Sequence, residues 1–258
     1  LGAEGGGLDD ARLLRYSRHI LLDDLGVNAQ ERLLASHALI VGVGGLGNPA
    51  ALYLALAGVG RITLVDGDRV DLTNLQRQIL FRDGDVASFK ASTAKAALIN
   101  RNADVAVEAL DLRADQQTLK RLVACADVVL DCTDNFAARH AINAACVEHS
   151  KVLVSGAAIR FDAQLSVFDL RDPDAACYAC LFPDSDQVDD QHCATMGVFS
   201  PLTGMVGAMQ AGEAIKALTG AGALPSGRLL MIDALSSRIQ SVEFGRDPAC
   251  PVCAGRAR

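Results

Sequence analysis

Five groups of residues have the types and spacing to do chemistry. The first is Gly42-Val43-Gly44-Gly45-Leu46-Gly47, a G-x-G-x-x-G run. Glycines let a chain turn tightly and bring backbone N–H groups up to phosphate oxygens, and a helix N-terminus behind the turn favours anions. Asp66 and Asp68 follow the next apolar run, where a carboxylate commonly binds ribose hydroxyls. On this motif alone an NAD-dependent enzyme is the commonest reading, and a tight turn without a ligand is the plain one.

The second group is Asp71-Leu-Thr-Asn74-Leu-Gln76-Arg77-Gln78, with Lys90 opening the following helix. Helix N–H groups can manage a pyrophosphate, whereas a triphosphate usually calls for Arg, Lys and Mg²⁺. Taken singly, Arg77 and Lys90 also read as solvated surface charges. The third group, Asp131-Cys132-Thr133-Asp134-Asn135, follows a buried apolar run. Open α/β sheets place ligands at such strand ends, and an Asp there can hold Mg²⁺. Asp134 or Thr133 fits equally well as the N-cap of the next helix.

The fourth group is the pair of C-x-x-C motifs, Cys177/Cys180 and Cys250/Cys253. Together they can supply a tetrahedral thiolate site for Zn²⁺. A redox pair is the alternative, but thioredoxin-type pairs come singly and open a helix after a strand. Four thiolates leave no open coordination position, so the zinc is structural and ties the C-terminus to the middle of the chain. The fifth is Cys193, beside His192 in the polar stretch 183–193. A stabilised thiolate there would be a nucleophile; a lone loop cysteine is more often a bystander.

The elements that must position these groups are read from hydrophobic pattern. Helices are predicted over 9–36, 47–58, 90–101, 116–125, 135–149 and 201–219. Strands are predicted over 38–41, 61–65, 105–109, 127–131, 152–155, 163–168, 229–232 and 238–242. Strands alternating with helices imply a doubly wound, mostly parallel α/β sheet of Rossmann type. The change to alternating strands after residue 155 implies an antiparallel C-terminal extension. We read 1–258 as one domain: an N-terminal helical segment (1–36), a nucleotide-binding half (37–156) and a half holding zinc (157–258). Residues 1–7 are small and acidic and contain no secretory signal.

Half the residues are hydrophobic and the formal net charge is −7. Such a chain has no electrostatic pull towards nucleic acid or anionic membranes. The apolar stretch 198–218 is interrupted by Gln210, Glu213 and Lys216, which a membrane span tolerates poorly. A cytoplasmic protein is expected, and its eight cysteines are then not structural disulfides.

In this order the pieces resemble the MoeB/ThiF family of adenylyltransferases, relatives of the ubiquitin-activating enzymes. The resemblance runs from Arg15-Tyr16-Ser17-Arg18 to Cys253. It is strongest at the glycine run, Asn74 to Gln78, Asp131 to Asn135, Ser155-Gly-Ala-Ala-Ile-Arg160 and the C-x-x-C pairs. It implies ATP-dependent adenylation of the C-terminal glycine of a ubiquitin-like sulfur carrier ending in Gly-Gly, with release of pyrophosphate. It further implies that Gly45 and its neighbours hold phosphates and Asp66 binds ribose. Asn74, Arg77 and Lys90 would contact the polyphosphate, Asp134 would handle Mg²⁺, and Asn135 would assist at the nucleotide. Arg18 matches an arginine that reaches into the neighbouring subunit's site, which implies a homodimer. Cys193 matches the crossover-loop cysteine.

A carboxylate attacking an anionic phosphate needs charge neutralisation and in-line positioning, not a general base. Arg77, Lys90 and Asp134 suit that task and argue against an NAD-dependent oxidoreductase or an inactive scaffold. His19, the Ala-Ser-Phe before Lys90 and Met196 depart from the usual pattern without removing a charged group. The chain ends soon after Cys253, so a separate sulfur donor is expected. The segment Ser155 to Arg160 is similar to enzymes serving molybdopterin synthase, and its small subunit is the expected carrier. Residues 15–24 and 178–183 lean towards the thiamine carrier, the alternative.

Overall fold

Among the described residues, 8–183 and 196–256 of a computed structural model, eight strands form one sheet. They are β1 (His37–Val41), β2 (Arg61–Val65), β3 (Ala106–Leu110), β4 (Val128–Asp131), β5 (Val152–Ile159), β6 (Asp162–Asp169), β7 (Arg228–Asp233) and β8 (Arg238–Glu243). Their order is β3-β2-β1-β4-β5-β6-β7-β8. The first five pair in parallel and the last three join antiparallel. This is the predicted sheet, including its antiparallel extension.

The central strands read as continuous apolar runs because helices cover both faces. Along β1, Ala38 and Ile40 join one core and Leu39 and Val41 the other. The first core is closed by α4 (Gly47–Ala57), α5 (Lys90–Ile99) and α9 (Ser200–Thr219), through Leu54, Leu98 and Ala211. The second is closed by α6 (Gln116–Cys125), α7 (Phe136–Glu148) and the short α8 (Tyr178–Leu181), through Leu119, Ile142 and Tyr178. No described helix is long and apolar enough to cross a membrane.

Two expectations are corrected. The helix predicted over 9–36 is three helices, α1 (Asp10–Arg15), α2 (Ser17–Ile20) and α3 (Gly26–Ala35). The first break falls at Tyr16, which is 3% exposed and whose hydroxyl accepts a hydrogen bond from Asn102. A Cβ on Gly58 would lie 2.7 Å from the Tyr16 ring, so this packing, not helix propensity, sets the break. The second break ends at Gly26, whose φ of +68° suits glycine. The strands predicted over 152–155 and 163–168 are also longer. β5 and β6 form a hairpin paired from Val152↔Asp169 to Ile159↔Asp162. Gly156-Ala157-Ala158 has weak strand propensity, and the ladder itself supplies what those side chains do not.

Candidate active site

β1 and β4 are neighbours, but the chain leaves β1 towards β2 on one side and leaves β4 towards β5 on the other. The connections therefore diverge at the C-terminal ends of β1 and β4, where a doubly wound sheet opens a crevice. A cleft of about 1430 Å³ lies there, larger than the roughly 300–1,000 Å³ of a small-molecule site. It has room for a nucleotide and for part of a second substrate.

The glycine turn forms its floor. Gly42 has φ +91°, and a Cβ there would stand 2.6 Å from the Cys132 carbonyl oxygen. A Cβ on Gly47 would stand 2.0 Å from the Gly42 carbonyl oxygen. These two glycines let the turn, the start of α4 and the end of β4 approach closely. Gly44 and Gly45 line the cleft. Asn48 ties the turn down, donating to the Val43 carbonyl and accepting from the Leu80 amide. Asp66 accepts the Val43 amide at 2.7 Å and the Asp68 amide at 2.8 Å. Burial pushes its carboxyl above the ordinary value, partly offset by those two amides.

One wall carries the cations. Asn74 and Asp71 cap each other in a short turn, and the next turn of backbone presents Arg77 and Gln78 to the cleft. Gln78 is 3% exposed, and its Oε1 has no hydrogen-bond partner among the described residues. A buried unpaired acceptor beside Gly44 is a mark of a ligand. Lys90 enters at the start of α5 and donates to Asp68 at 3.2 Å. Arg113, which the sequence reading missed, donates to the other Asp68 oxygen at 3.0 Å. Burial alone would raise the Asp68 carboxyl; the Arg113 hydrogen bond and the Lys90 charge outweigh it and hold it below its ordinary value.

The opposite wall is the segment after β4. Asp134 is exposed and Asn135 half-buried, and both line the cleft. The helix cap is neither Asp134 nor Thr133: Asn135 accepts the Ala138 amide at 2.9 Å and caps α7. Asp134 is thereby released from capping. Arg139, also missed, is buried beneath this segment against Asp131. Its place one turn inside α7, on the face with the apolar Ile142 and Cys146, was the available signal.

The cleft continues across the antiparallel strands. Register places Ser155, Ser166, Leu229 and Val242 in one row across β5 to β8. Ala157, Gln164, Met231 and Gln240 form the next, and Ile159, Asp162, Asp233 and Arg238 the last. Eleven of these twelve residues, all but Val242, line the cleft. The result is an open trough from the nucleotide end to the sheet edge.

Cys177, Cys180, Cys250 and Cys253 have their sulfurs within 4.8 Å of one another. Their Sγ separations are 3.9 Å for 177–180, 3.7 Å for 177–250 and 3.4 Å for 180–253. Four sulfurs about 2.3 Å from a tetrahedral Zn²⁺ stand roughly 3.8 Å apart, so the set fits that ion and no disulfide. Asn143 of α7 donates to the Cys177 sulfur at 3.6 Å and accepts the Tyr178 amide at 2.9 Å. Arg18 is exposed and, like Gly47, does not line the cleft of its own chain. Cys193 lies outside the described residues.

The chain is 47% identical to the sulfur carrier protein ThiS adenylyltransferase of Escherichia coli, over 96% of this chain and 98% of that one. It is 43% identical to the molybdopterin-synthase adenylyltransferase of the same organism, over 95% and 98%. A solved structure of E. coli MccB with ATP superposes with a TM-score of 0.78 at 26% identity, covering 89% of this chain and 70% of that one. The ThiF family pattern matches residues 16–252, and the chain belongs to the ThiF family.

Proposed function

We propose that this protein adenylates the C-terminal carboxylate of a ubiquitin-like sulfur-carrier protein. The carboxylate oxygen attacks the α-phosphorus of ATP, the bond to the β-phosphate oxygen breaks, and pyrophosphate leaves. The observation that carries this reading is the continuity of the cleft: a phosphate-suited glycine turn opens directly into a trough that runs across β5 to β8. The small residues Gly156 and Ala157 stand where the two meet, as a Gly-Gly tail requires. The names of two relatives, one for ThiS and one for molybdopterin synthase, support the same substrate class.

In this reading Gly42, Gly44, Gly45 and Gly47 build the phosphate turn, and Asp66 and Gln78 face the ribose. Asn74, Arg77 and Lys90 neutralise the polyphosphate. Asp68 holds Lys90 in place and trades it to the nucleotide. Asp134 is the oxygen ligand suited to Mg²⁺, which would bridge phosphate charge, and Asn135 sits beside it. Zn²⁺ held by the four cysteines is structural. Arg18, exposed and not lining its own cleft, serves a neighbouring subunit in a homodimer. A thiolate-rich, ATP-using protein suits the reducing cytoplasm, with sulfur supplied by a separate donor. Family membership sets aside the NAD-dependent oxidoreductase that the glycine motif alone permits.

Both carriers named at the sequence level remain in play, since the identities to the two enzyme types are 47% and 43%. The test is ATP–pyrophosphate exchange with a panel of Gly-Gly-ended carriers. Carrier-dependent exchange with the molybdopterin-synthase subunit or the thiamine carrier is expected. Exchange with none of them, by protein that binds ATP, refutes the reading.

A further inference from the structure

Beneath the cleft, Asp131 ends β4 at 1% exposure and Arg139 sits in α7 at 8%. Arg139 Nη1 stands 3.6 Å from Asp131 Oδ2, and its Nη2 donates to the Thr133 carbonyl. Asp131 Oδ1 accepts the Thr133 amide at 3.0 Å and the Thr133 hydroxyl at 2.6 Å. Asp131 Oδ2 also accepts the Ser155 hydroxyl at 2.7 Å. A carboxylate offers about four acceptor directions; these hydrogen bonds take three, and the Arg139 guanidinium faces the carboxylate at 3.6 Å. Asp131 is thus buried and held by internal partners, although its type and strand-end position equal those of a metal ligand. Asp134, three residues on, is exposed and has a weak 3.5 Å contact from Asn135.

We propose that Arg139 is a positioning residue for Mg²⁺–nucleotide binding, acting through the segment Cys132 to Asn135. The guanidinium draws the Thr133 carbonyl inward, while Asp131 holds the Thr133 amide and hydroxyl. With Thr133 fixed on both sides and Asn135 fixed as the helix cap, the backbone between them turns Asp134 outward to the cleft. Arg139 also neutralises a buried carboxylate that would otherwise face an anionic nucleotide. Burial disfavours its charge; the Asp131 carboxylate, together with Tyr178 and Cys132, outweighs that burial. Ser155 completes the frame and starts the first row of the trough, so the same frame meets both substrates' ends of the cleft. The inference rests on the reading of Asp134 as the Mg²⁺ ligand.

The test is calorimetric titration of the full chain with ATP across a Mg²⁺ series, which needs no carrier. In the wild type, Mg²⁺ tightens ATP binding. Arg139→Met should lose about 10–100-fold of that tightening, the usual effect of removing a group that orients a metal ligand, with ATP affinity in EDTA little changed. Arg139→Lys should recover part. Arg139→Met leaves Asp131 unpaired and can unfold, so the Asp131→Asn/Arg139→Met double variant, with no buried charge, is the deciding protein. If it is folded and keeps the wild-type Mg²⁺ response while Asp134→Ala loses it, the positioning role is overturned and the Asp134 reading stands. If the double variant loses the response while Asp134→Ala keeps it, Asp134 is not the ligand and Arg139 positions another. A response retained by both overturns both.

Discussion

Asp66 and Val43 close the glycine turn across the end of the sheet: the Asp66 Oδ2 accepts the Val43 amide at 2.7 Å. The carboxylate expected at the ribose is thus also a strut of the phosphate turn. Asp66→Ala removes both functions. Loss of a hydrogen bond to a charged acceptor costs about 1.5–3 kcal/mol, so ATP affinity should fall roughly 10–100-fold. Calorimetry measures this, and an affinity within a factor of about two of wild type would show that the turn stands without Asp66.

Gly42 is the second constraint on that turn. Gly42→Ala must accept φ +91° and a Cβ 2.6 Å from the Cys132 carbonyl oxygen. Backbone strain alone costs about 1–3 kcal/mol, and the displaced β4 segment adds to it. Gly212 is the control: it lies exposed within α9 with open space where a Cβ would stand. Gly212→Ala should stabilise by about 0.5–1 kcal/mol. Thermal denaturation should move the two variants in opposite directions.

The outline of this site was legible because it rests on local signals. The glycine run, the strand ends at Asp66 and Asp131 and the C-x-x-C pairs each announce themselves within a few residues. Asp134 and Asn135 were found, but their division of labour was not: which polar residue caps a helix depends on where the last strand stops. Arg113 and Arg139 were missed for a different reason. Arg113 reaches Asp68 from 45 positions away, and Arg139 is buried by a partner on another element. Spacing along the helix betrays that Arg139 shares the buried face of Ile142 and Cys146, but it names neither partner. The split of residues 9–36 likewise follows from Tyr16 packing against Gly58, a contact between distant segments.

The four sulfurs should bind about one zinc per chain, measurable by elemental analysis. Cys250→Ser, or removal of metal by a chelator, should lower the melting temperature, since a site of this kind contributes folding free energy. Protein that purifies without metal and gains no stability from added zinc would leave the cluster as reduced thiols.

Arg18 and Arg77 should complement each other between subunits. Arg18→Ala and Arg77→Ala should each be nearly inactive in pyrophosphate exchange. In mixed dimers one site carries both defects and the other neither, so activity should return towards about a quarter of wild type at statistical mixing. Proven subunit exchange without recovery would place Arg18 in its own chain's chemistry.

His37 should give the stability a pH dependence at the opposite end of the sheet from the cleft. Its Nδ1 lies 2.8 Å from the Cys125 carbonyl and its Nε2 2.8 Å from the Thr63 hydroxyl. A carbonyl only accepts, so Nδ1 carries the proton and the neutral ring accepts from Thr63 at Nε2. Burial lowers the imidazole below its ordinary 6.5; the Cys125 carbonyl opposes this, Arg61 adds to it, and Asp127 and Glu108 oppose it. The unfolded chain therefore binds this proton at a higher pH than the folded one. Stability from His37 is fully present above pH 6.5 and is lost as pH falls from there through the folded value. His37→Gln keeps a polar side chain and removes the titration. Denaturant unfolding at several pH values should show the wild type losing stability more steeply than His37→Gln below pH 6.5. Parallel curves would mean that the folded and unfolded rings titrate together, and that the Cys125 hydrogen bond and the neighbouring carboxylates offset the burial.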